Sequence, residues 1–142
     1  MRIAVTGGSG KLGRHVVRRL NDDGHQVTNL DQAGERGPDF TRVDLRDYGQ
    51  VVDVILGLDD RHEGFDAIAH LAAIPAPGLA PDAATFENNM QATYNVFQAA
   101  RRAGIKKIVY ASSETVLGLP FDVDPPYIPV DEEYPARPES TY

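Results

Sequence analysis

The sequence predicts an α/β fold, a doubly wound parallel sheet with helices on both faces. Two observations predict it. Strand-like and helix-like segments alternate along the 142 residues, with turn signals between them, and such alternation gives parallel sheets. An apolar strand at residues 2–6 also runs straight into a glycine-rich loop and a helix, which is how a Rossmann-type fold begins.

Each predicted strand is a short run of apolar or β-branched residues between turn residues. The five strands are expected at residues 2–6, 26–30, 41–43, 66–71 and 107–111. Each predicted helix carries apolar residues at helical spacing. The three helices are expected at residues 11–23, 48–57 and 82–103. The predicted apolar face of the first helix consists of Leu12, Val16, Val17 and Leu20.

Glycines and one acidic residue mark the predicted helix ends. Gly24 and Gly104 follow the first and the last helix, and glycine is common at that position. Asp82 is the predicted N-cap of the last helix. Residues 118–138 hold six of the ten prolines and are expected to form an extended surface segment.

Composition narrows the classes of function. An apolar content of 42% allows a real core, and a net charge of −7 without a basic run argues against nucleic acid as the main partner. The absence of cysteine excludes disulfides and thiolate chemistry, and four scattered histidines predict no metal site. No apolar stretch approaches the span of a membrane helix, and Met1 leads directly into the first strand. We therefore expect a cytoplasmic protein without membrane association.

The glycine-rich loop carries the first functional signal. Its glycines are Gly7, Gly10 and Gly13, and each position has a mechanical role in dinucleotide-binding proteins. The first allows a tight turn, the second lets backbone N–H groups approach a pyrophosphate, and the third permits close packing of the helix. The helix dipole favours the phosphates at this end. We count Lys11 and Leu12, which open the helix, among the cofactor-binding residues.

An acidic residue at the end of the second strand predicts which dinucleotide binds. Asp31 lies 18 positions after Gly13, where a carboxylate accepts hydrogen bonds from the adenosine ribose and repels a 2′-phosphate. The sequence therefore favours NAD over NADP. Two alternatives stay open: Arg14 or Arg36 could neutralise a 2′-phosphate, and Asp31 could be a solvated strand-end carboxylate.

Five motifs follow one another at the strand ends and in the long helix. They are the glycine loop after Thr6, Val43-Asp44-Leu45-Arg46-Asp47, His70-Leu71-Ala72-Ala73, Asn89 to Thr93 with Asn95, and Ser112-Ser113-x-x-Val116-x-Gly118. A sixth, Pro135-x-x-Pro138-x-Ser140-x-Tyr142, closes the chain. Together they make the sequence resemble the N-terminal part of extended short-chain dehydrogenases/reductases of the NAD-dependent epimerase/dehydratase family, which includes UDP-galactose 4-epimerase.

The resemblance implies an adenine pocket after the third strand. By position, Asp44 would hold the adenine amino group and Leu45 would line its pocket. A turn-capping role for Asp44 is the simpler alternative.

The resemblance also implies residues beneath the dinucleotide and near its nicotinamide end. They are Leu71, Ala72 and Ala73 under the cofactor, Asn89 near the nicotinamide-side ribose, and Ala111 and Ser112 after the fifth strand. Leu71 and Ala72 could instead be plain core. His70 is expected to be a packed structural residue without a catalytic role.

The catalytic residues implied by the resemblance are Ser113 and Tyr142. A tyrosine pKa near 10 is too high for a base at neutral pH, so the family lowers it with a lysine four residues on and with the cationic nicotinamide ring. The tyrosinate then takes a proton from a substrate hydroxyl to which Ser113 is hydrogen-bonded. Leu117 departs from the family, which places a tyrosine there.

The residues after Ser113 bear on the reaction type. Family dehydratases follow a catalytic threonine with Asp-Glu, an acid and a base. Here Glu114 and Thr115 follow, so the second carboxylate is missing. The resemblance therefore implies an epimerase or a simple dehydrogenase. Glu114 could equally be a solvated loop charge.

The family's lysine would stand at position 146, beyond the 142 residues. We therefore expect residues 1–142 to be an incomplete NAD-binding domain without its substrate domain, inactive alone and homodimeric at full length. The function implied is hydride transfer on a nucleotide sugar or related polyol. The alternative is a non-catalytic dinucleotide-binding module, such as a redox sensor or pseudoenzyme, in which the lysine is naturally absent.

Overall fold

The computed structural model describes residues 1–118 and 124–138. Strands and helices alternate along the chain, with bounds close to those predicted. The elements are β1 (Arg2–Thr6), α1 (Lys11–Asp22), β2 (Gln26–Asp31), β3 (Phe40–Arg42), α2 (Tyr48–Ile55), β4 (Ala67–His70), α3 (Asp82–Arg102), β5 (Lys107–Tyr110) and a 3-10 helix (Glu114–Leu117).

The described strands form one parallel sheet in the order β3-β2-β1-β4-β5. From β1 the chain builds outward to β3, then crosses back and continues on the other side with β4. This reversal leaves a crevice at the carboxyl ends of β1 and β4, the place where doubly wound sheets bind ligands. The predicted fold class is confirmed.

The sheet is covered by helices on both faces. Successive side chains of a strand point to opposite faces, so Ala4 packs with the buried residues of α2 and α3, whereas Ile3 and Val5 pack with α1. Leu12 is an exception to the predicted apolar face of α1, because it is 59% exposed. The α1 face against the sheet consists of Val16, Val17 and Leu20.

Several predicted bounds differ from the observed ones by one or two residues, among them the third strand and the N-cap of α3. The third strand is Phe40–Arg42, so Val43 lies just after it. The N-cap of α3 is Pro81, whereas Asp82 is the first helical residue and no capping side chain serves this end. Gly24 and Gly104 follow α1 and α3 at positive φ, as predicted.

Residues 124–138 carry neither helix nor strand and are mostly exposed, as predicted for this part of the proline-rich segment. Tyr134 is the buried residue of this stretch, and the Arg137 N–H donates to the Val116 carbonyl at 2.7 Å. Residues 119–123 lie outside the described residues. In the part of the chain that the structure describes, no helix has the length and apolar character needed to cross a membrane.

Candidate functional site

The three glycines of the loop differ in what a Cβ at each position would meet. Gly7 has φ of 70°, and a Cβ there would lie 2.8 Å from the Cα of Ala72. A Cβ on Gly13 would collide with the Gly7 carbonyl oxygen. Gly10 has an ordinary φ of −70°, and its Cβ would approach only the Gly7 oxygen, at 3.2 Å. The fold therefore requires Gly7 and Gly13, whereas the bare backbone at Gly10 leaves room for a ligand.

The first turn of α1 is a suitable anion site. Gly10 is its N-cap, no side chain caps it, and its first turn contains no acidic residue. The first N–H groups of a helix have no partners within the helix and lie at the positive end of its dipole. Lys11 and Leu12 are both exposed at this end. These features fit the pyrophosphate of a dinucleotide.

The Asp31 carboxylate is held in place by backbone N–H groups. Its Oδ2 accepts from Ser9 N at 3.0 Å, and its Oδ1 accepts from Gln32 N at 2.7 Å. The end of β2 is thereby tied to the glycine loop. Among residues 1–118 and 124–138, the side chains of Arg14 and Arg36 have no hydrogen-bonded or ion-paired partner.

Asp44 lies in a dense polar cluster after β3. The Arg46 guanidinium donates to both of its carboxylate oxygens, at 3.0 and 2.7 Å, and Gln32 Nε2 donates at 3.0 Å. The bonds from Arg46 lower the pKa of Asp44 to about 2. Leu45 is 6% exposed and packs in the core. Contacts of either residue with adenine stay a prediction.

Two asparagines of α3 fix the loops around the crevice. The side chain of Asn89 accepts from Ile74 N at 2.8 Å and donates to Ile74 O at 3.2 Å, which holds the loop after β4. Asn95 Nδ2 donates to the carbonyls of Leu45 and Arg46, both at 2.9 Å. The predicted ribose contact of Asn89 is untested, but its amide already organises the loop at that end.

A hydrogen-bonded chain links β1, β4 and α3. Thr6 Oγ1 lies 2.7 Å from His70 Nδ1, 3.2 Å from Leu71 N and 3.3 Å from Ala72 N. On the other side of the ring, His70 Nε2 lies 3.2 Å from Thr93 Oγ1. No role was predicted for Thr6 or Thr93. The signal available in the sequence was a polar residue at the end of each of two apolar strands, Thr6 in β1 and His70 in β4.

His70 is buried, as expected, with 1% of its surface exposed. Burial lowers the pKa of its imidazole to about 4, because the charged ring would lose its water. Its ring stacks on Tyr110 with the centroids 5.8 Å apart. His70 is therefore neutral at physiological pH.

The predicted cofactor residues of β4 and β5 lie on the same edge of the sheet. Leu71 and Ala72 are half-buried and Ala73 is exposed, as are Ala111 and Ser112. Parallel strands end on one edge, so these residues share the edge with the glycine loop and Asp31.

Ser113 caps the 3-10 helix. Its Oγ accepts from Thr115 N at 3.2 Å and from Thr115 Oγ1 at 3.0 Å. A serine hydroxyl that accepts hydrogen bonds can still donate its own proton. Ser113 is half-buried, whereas Ser112 and Glu114 are exposed. Tyr142, the other predicted catalytic residue, lies outside the described residues.

The open glycine loop, the uncapped helix and the anchored carboxylate define a Rossmann-type dinucleotide-binding protein. The sequence profile of the NAD dependent epimerase/dehydratase family matches residues 3–142. The chain belongs to this family, which is described as NAD dependent.

Known proteins similar to the chain include dehydrogenases and epimerases. An L-arabinose 1-dehydrogenase (NAD(P)(+)) from Haloferax volcanii is 37% identical, over 99% of this chain and 55% of that protein. A UDP-glucose 4-epimerase from Oryza sativa subsp. japonica is 31% identical, over 99% of this chain and 36% of that protein.

A solved structure with the same fold contains the cofactor. A short-chain dehydrogenase/reductase superfamily protein from Agrobacterium tumefaciens, with bound NAD, is 31% identical and matches with a TM-score of 0.83. The match covers all of this chain and 40% of that one. The chain thus spans between about a third and just over half of the length of these relatives.

Proposed function

We propose that this protein is an NAD-dependent epimerase or dehydrogenase acting on a nucleotide sugar or related polyol. The observation that carries the proposal is the Ser113 hydroxyl, which lies after β5 on the edge of the sheet where the glycine loop lies. Its oxygen is fixed by two bonds from Thr115. We propose that its proton binds a substrate oxygen.

NAD fits the described residues. The N–H groups at the start of α1 would bind the pyrophosphate, and Asp31 would accept from the adenosine ribose hydroxyls. When bound, NAD accepts a hydride from the substrate carbon. Ser113 would orient the hydroxyl on that carbon, and Tyr142 would remove its proton with the help of a lysine four residues on.

The substrate class rests on the relatives. The Oryza sativa relative is a UDP-glucose 4-epimerase and the Haloferax volcanii relative oxidises a free sugar. Both activities need oxidation of a sugar carbon that bears a hydroxyl, which is the chemistry proposed for Ser113 and Tyr142. The missing second carboxylate at Thr115 argues against a dehydratase.

We also propose that the protein is a homodimer at full length. The exposed side of α3 carries a row of large apolar side chains, namely Phe86, Met90, Tyr94 and Phe97. Exposed apolar patches of this kind are typical of protein interfaces.

The test uses a chain that continues past Tyr142 with its natural sequence. We expect this longer protein to reduce NAD or epimerise nucleotide sugars, Tyr142→Phe to abolish the reaction, and NAD to bind to both. Residues 1–142 alone are expected to be inactive, because they include no lysine four positions after Tyr142. A longer protein that binds NAD but turns over no sugar would support the non-catalytic alternative.

A further inference from the structure

Thr6, His70 and Tyr110 stand side by side at the carboxyl ends of three neighbouring strands. The register pairs Thr6 with His70 and His70 with Tyr110. We propose that His70 is a positioning residue for NAD binding, whose Nε2–H tautomer orients the Thr6 hydroxyl so that it holds the backbone beneath the glycine loop. The inference rests on the assignment of NAD to this loop.

The tautomer follows from counting donors. Thr6 Oγ1 faces two backbone donors, Leu71 N and Ala72 N, so its single proton points at His70 Nδ1. That nitrogen therefore accepts and carries no proton. The proton of the neutral ring is on Nε2, which donates to Thr93 Oγ1. The donors thus follow one direction, from the backbone N–H groups after β4 through Thr6 and His70 to Thr93 on α3.

Ala72 is the residue that depends most on this chain. Leu71 N also donates to the Thr6 carbonyl at 3.2 Å, whereas the acceptor of Ala72 N is the Thr6 hydroxyl. A Cβ on Gly7 would lie 2.8 Å from the Ala72 Cα, so the glycine loop rests directly on this backbone. A shift at Ala72 therefore displaces the loop.

Loss of the hydrogen bonds that join Thr6, His70 and Thr93 is expected to weaken NAD binding, because a smaller fraction of the protein then has the glycine loop in the conformation that binds NAD. The apparent dissociation constant rises in inverse proportion to that fraction. Without an acceptor at Nδ1, the Thr6 hydroxyl proton has lost its partner, and a buried unpaired donor is unfavourable. The hydroxyl then rotates towards another acceptor, and its hydrogen bond from Ala72 N is weakened. The residue thus acts through the backbone and not through contact with the cofactor.

The experiment compares three variants of the longer protein. His70→Leu removes both ring nitrogens, and His70→Asn keeps an acceptor at the position of Nδ1. His62→Leu is the matched control. The His62 side chain is 6% exposed and contacts Asp59 at 2.7 Å and Thr41 Oγ1 at 3.0 Å. It lies in the loop before β4, outside the bonds that join Thr6, His70 and Thr93.

We expect NAD to bind His70→Leu about tenfold more weakly than wild type. His70→Asn should bind within about threefold of wild type, and His62→Leu should bind as wild type does even though it loses stability. Equal affinities for His70→Leu and His62→Leu would overturn the inference. Wild-type protein that binds no NAD would instead overturn the cofactor assignment on which it rests.

Two further measurements test the proposal if the His70→Leu protein does not fold. The ¹⁵N shifts of the wild-type His70 ring should report a protonated Nε2, and a protonated Nδ1 would refute the chain of bonds. Thr6→Val should weaken NAD binding, whereas Thr6→Ser should bind NAD as wild type does because the hydroxyl is retained. Equal affinity of Thr6→Val and Thr6→Ser would also refute the proposal.

Discussion

The Asp31 carboxylate accepts a hydrogen bond from the backbone N–H of Ser9 at 3.0 Å. This contact joins the end of β2 to the glycine loop, and a second contact from Gln32 N fixes the other carboxylate oxygen. The negative charge therefore stays beside the loop. A side chain held from both sides cannot swing away to admit a phosphate.

We accordingly predict that NAD binds at least about tenfold more tightly than NADP, a difference of about 1.4 kcal/mol. Calorimetric titration with both cofactors measures the ratio. Asp31→Asn should narrow it, because the amide keeps the shape but removes the charge that repels a 2′-phosphate. Asp22→Asn, at the far end of α1, is the control and should leave the ratio unchanged.

An equal or reversed preference would contradict this prediction. It would indicate that Arg14 or Arg36 binds the phosphate, since neither guanidinium has another partner in the described part of the chain.

A second prediction concerns Ser113. In the longer protein, Ser113→Ala should lower kcat by about 100-fold, because the substrate hydroxyl loses its positioning donor while NAD binding is unaffected. The same change removes the cap of the 3-10 helix and should cost about 1 kcal/mol of stability. Steady-state kinetics and NAD titration separate the two effects. An unchanged kcat in a folded Ser113→Ala protein would remove Ser113 from the proposed mechanism.

The sequence was sufficient for the fold because its signals are local. The apolar strands and the glycines after α1 and α3 are each recognised within a few residues. The N-cap of α3 was predicted one position too late, since Asp82 is a common capping residue but Pro81 takes the position here without a side-chain bond.

Much of the candidate site could not be predicted, because its contacts join distant parts of the chain. Asn95 binds the carbonyl of Leu45, 50 positions away, and Thr6 binds His70, 64 positions away. Such pairs depend on strand order and register, which no local pattern states. The motifs contain Leu45, His70 and Asn95 but name no partner for them, and no role was predicted for Thr6.

A third prediction concerns pH. Burial lowers the pKa of His70 to about 4, whereas the unfolded chain titrates near the ordinary value of 6.5. Between these values the unfolded state binds a proton that the folded state does not. The contribution of the neutral His70 to the free energy of unfolding is therefore fully present above pH 6.5 and is lost as the pH falls towards 4.

In the part of the chain that the structure describes, the His70 ring contacts the hydroxyls of Thr6 and Thr93 and the ring of Tyr110. Between pH 7 and pH 5, wild type should lose about 2 kcal/mol more unfolding free energy than His70→Asn. Urea denaturation at both values measures this. The exposed His15 provides the control, because His15→Asn should keep the wild-type dependence. The same dependence in His70→Asn would show that another group causes it.

The most direct test of the account is the binding of NAD to wild type and to Gly10→Val, measured by calorimetry. A Cβ at Gly10 meets only the Gly7 oxygen, so the variant should fold with a loss of about 1 kcal/mol. Gly37→Val is the control, since a Cβ there meets nothing within 4 Å. We predict that wild type and Gly37→Val bind NAD alike and that Gly10→Val binds at least about tenfold more weakly. A folded Gly10→Val protein with wild-type affinity would contradict the placement of the cofactor on the glycine loop.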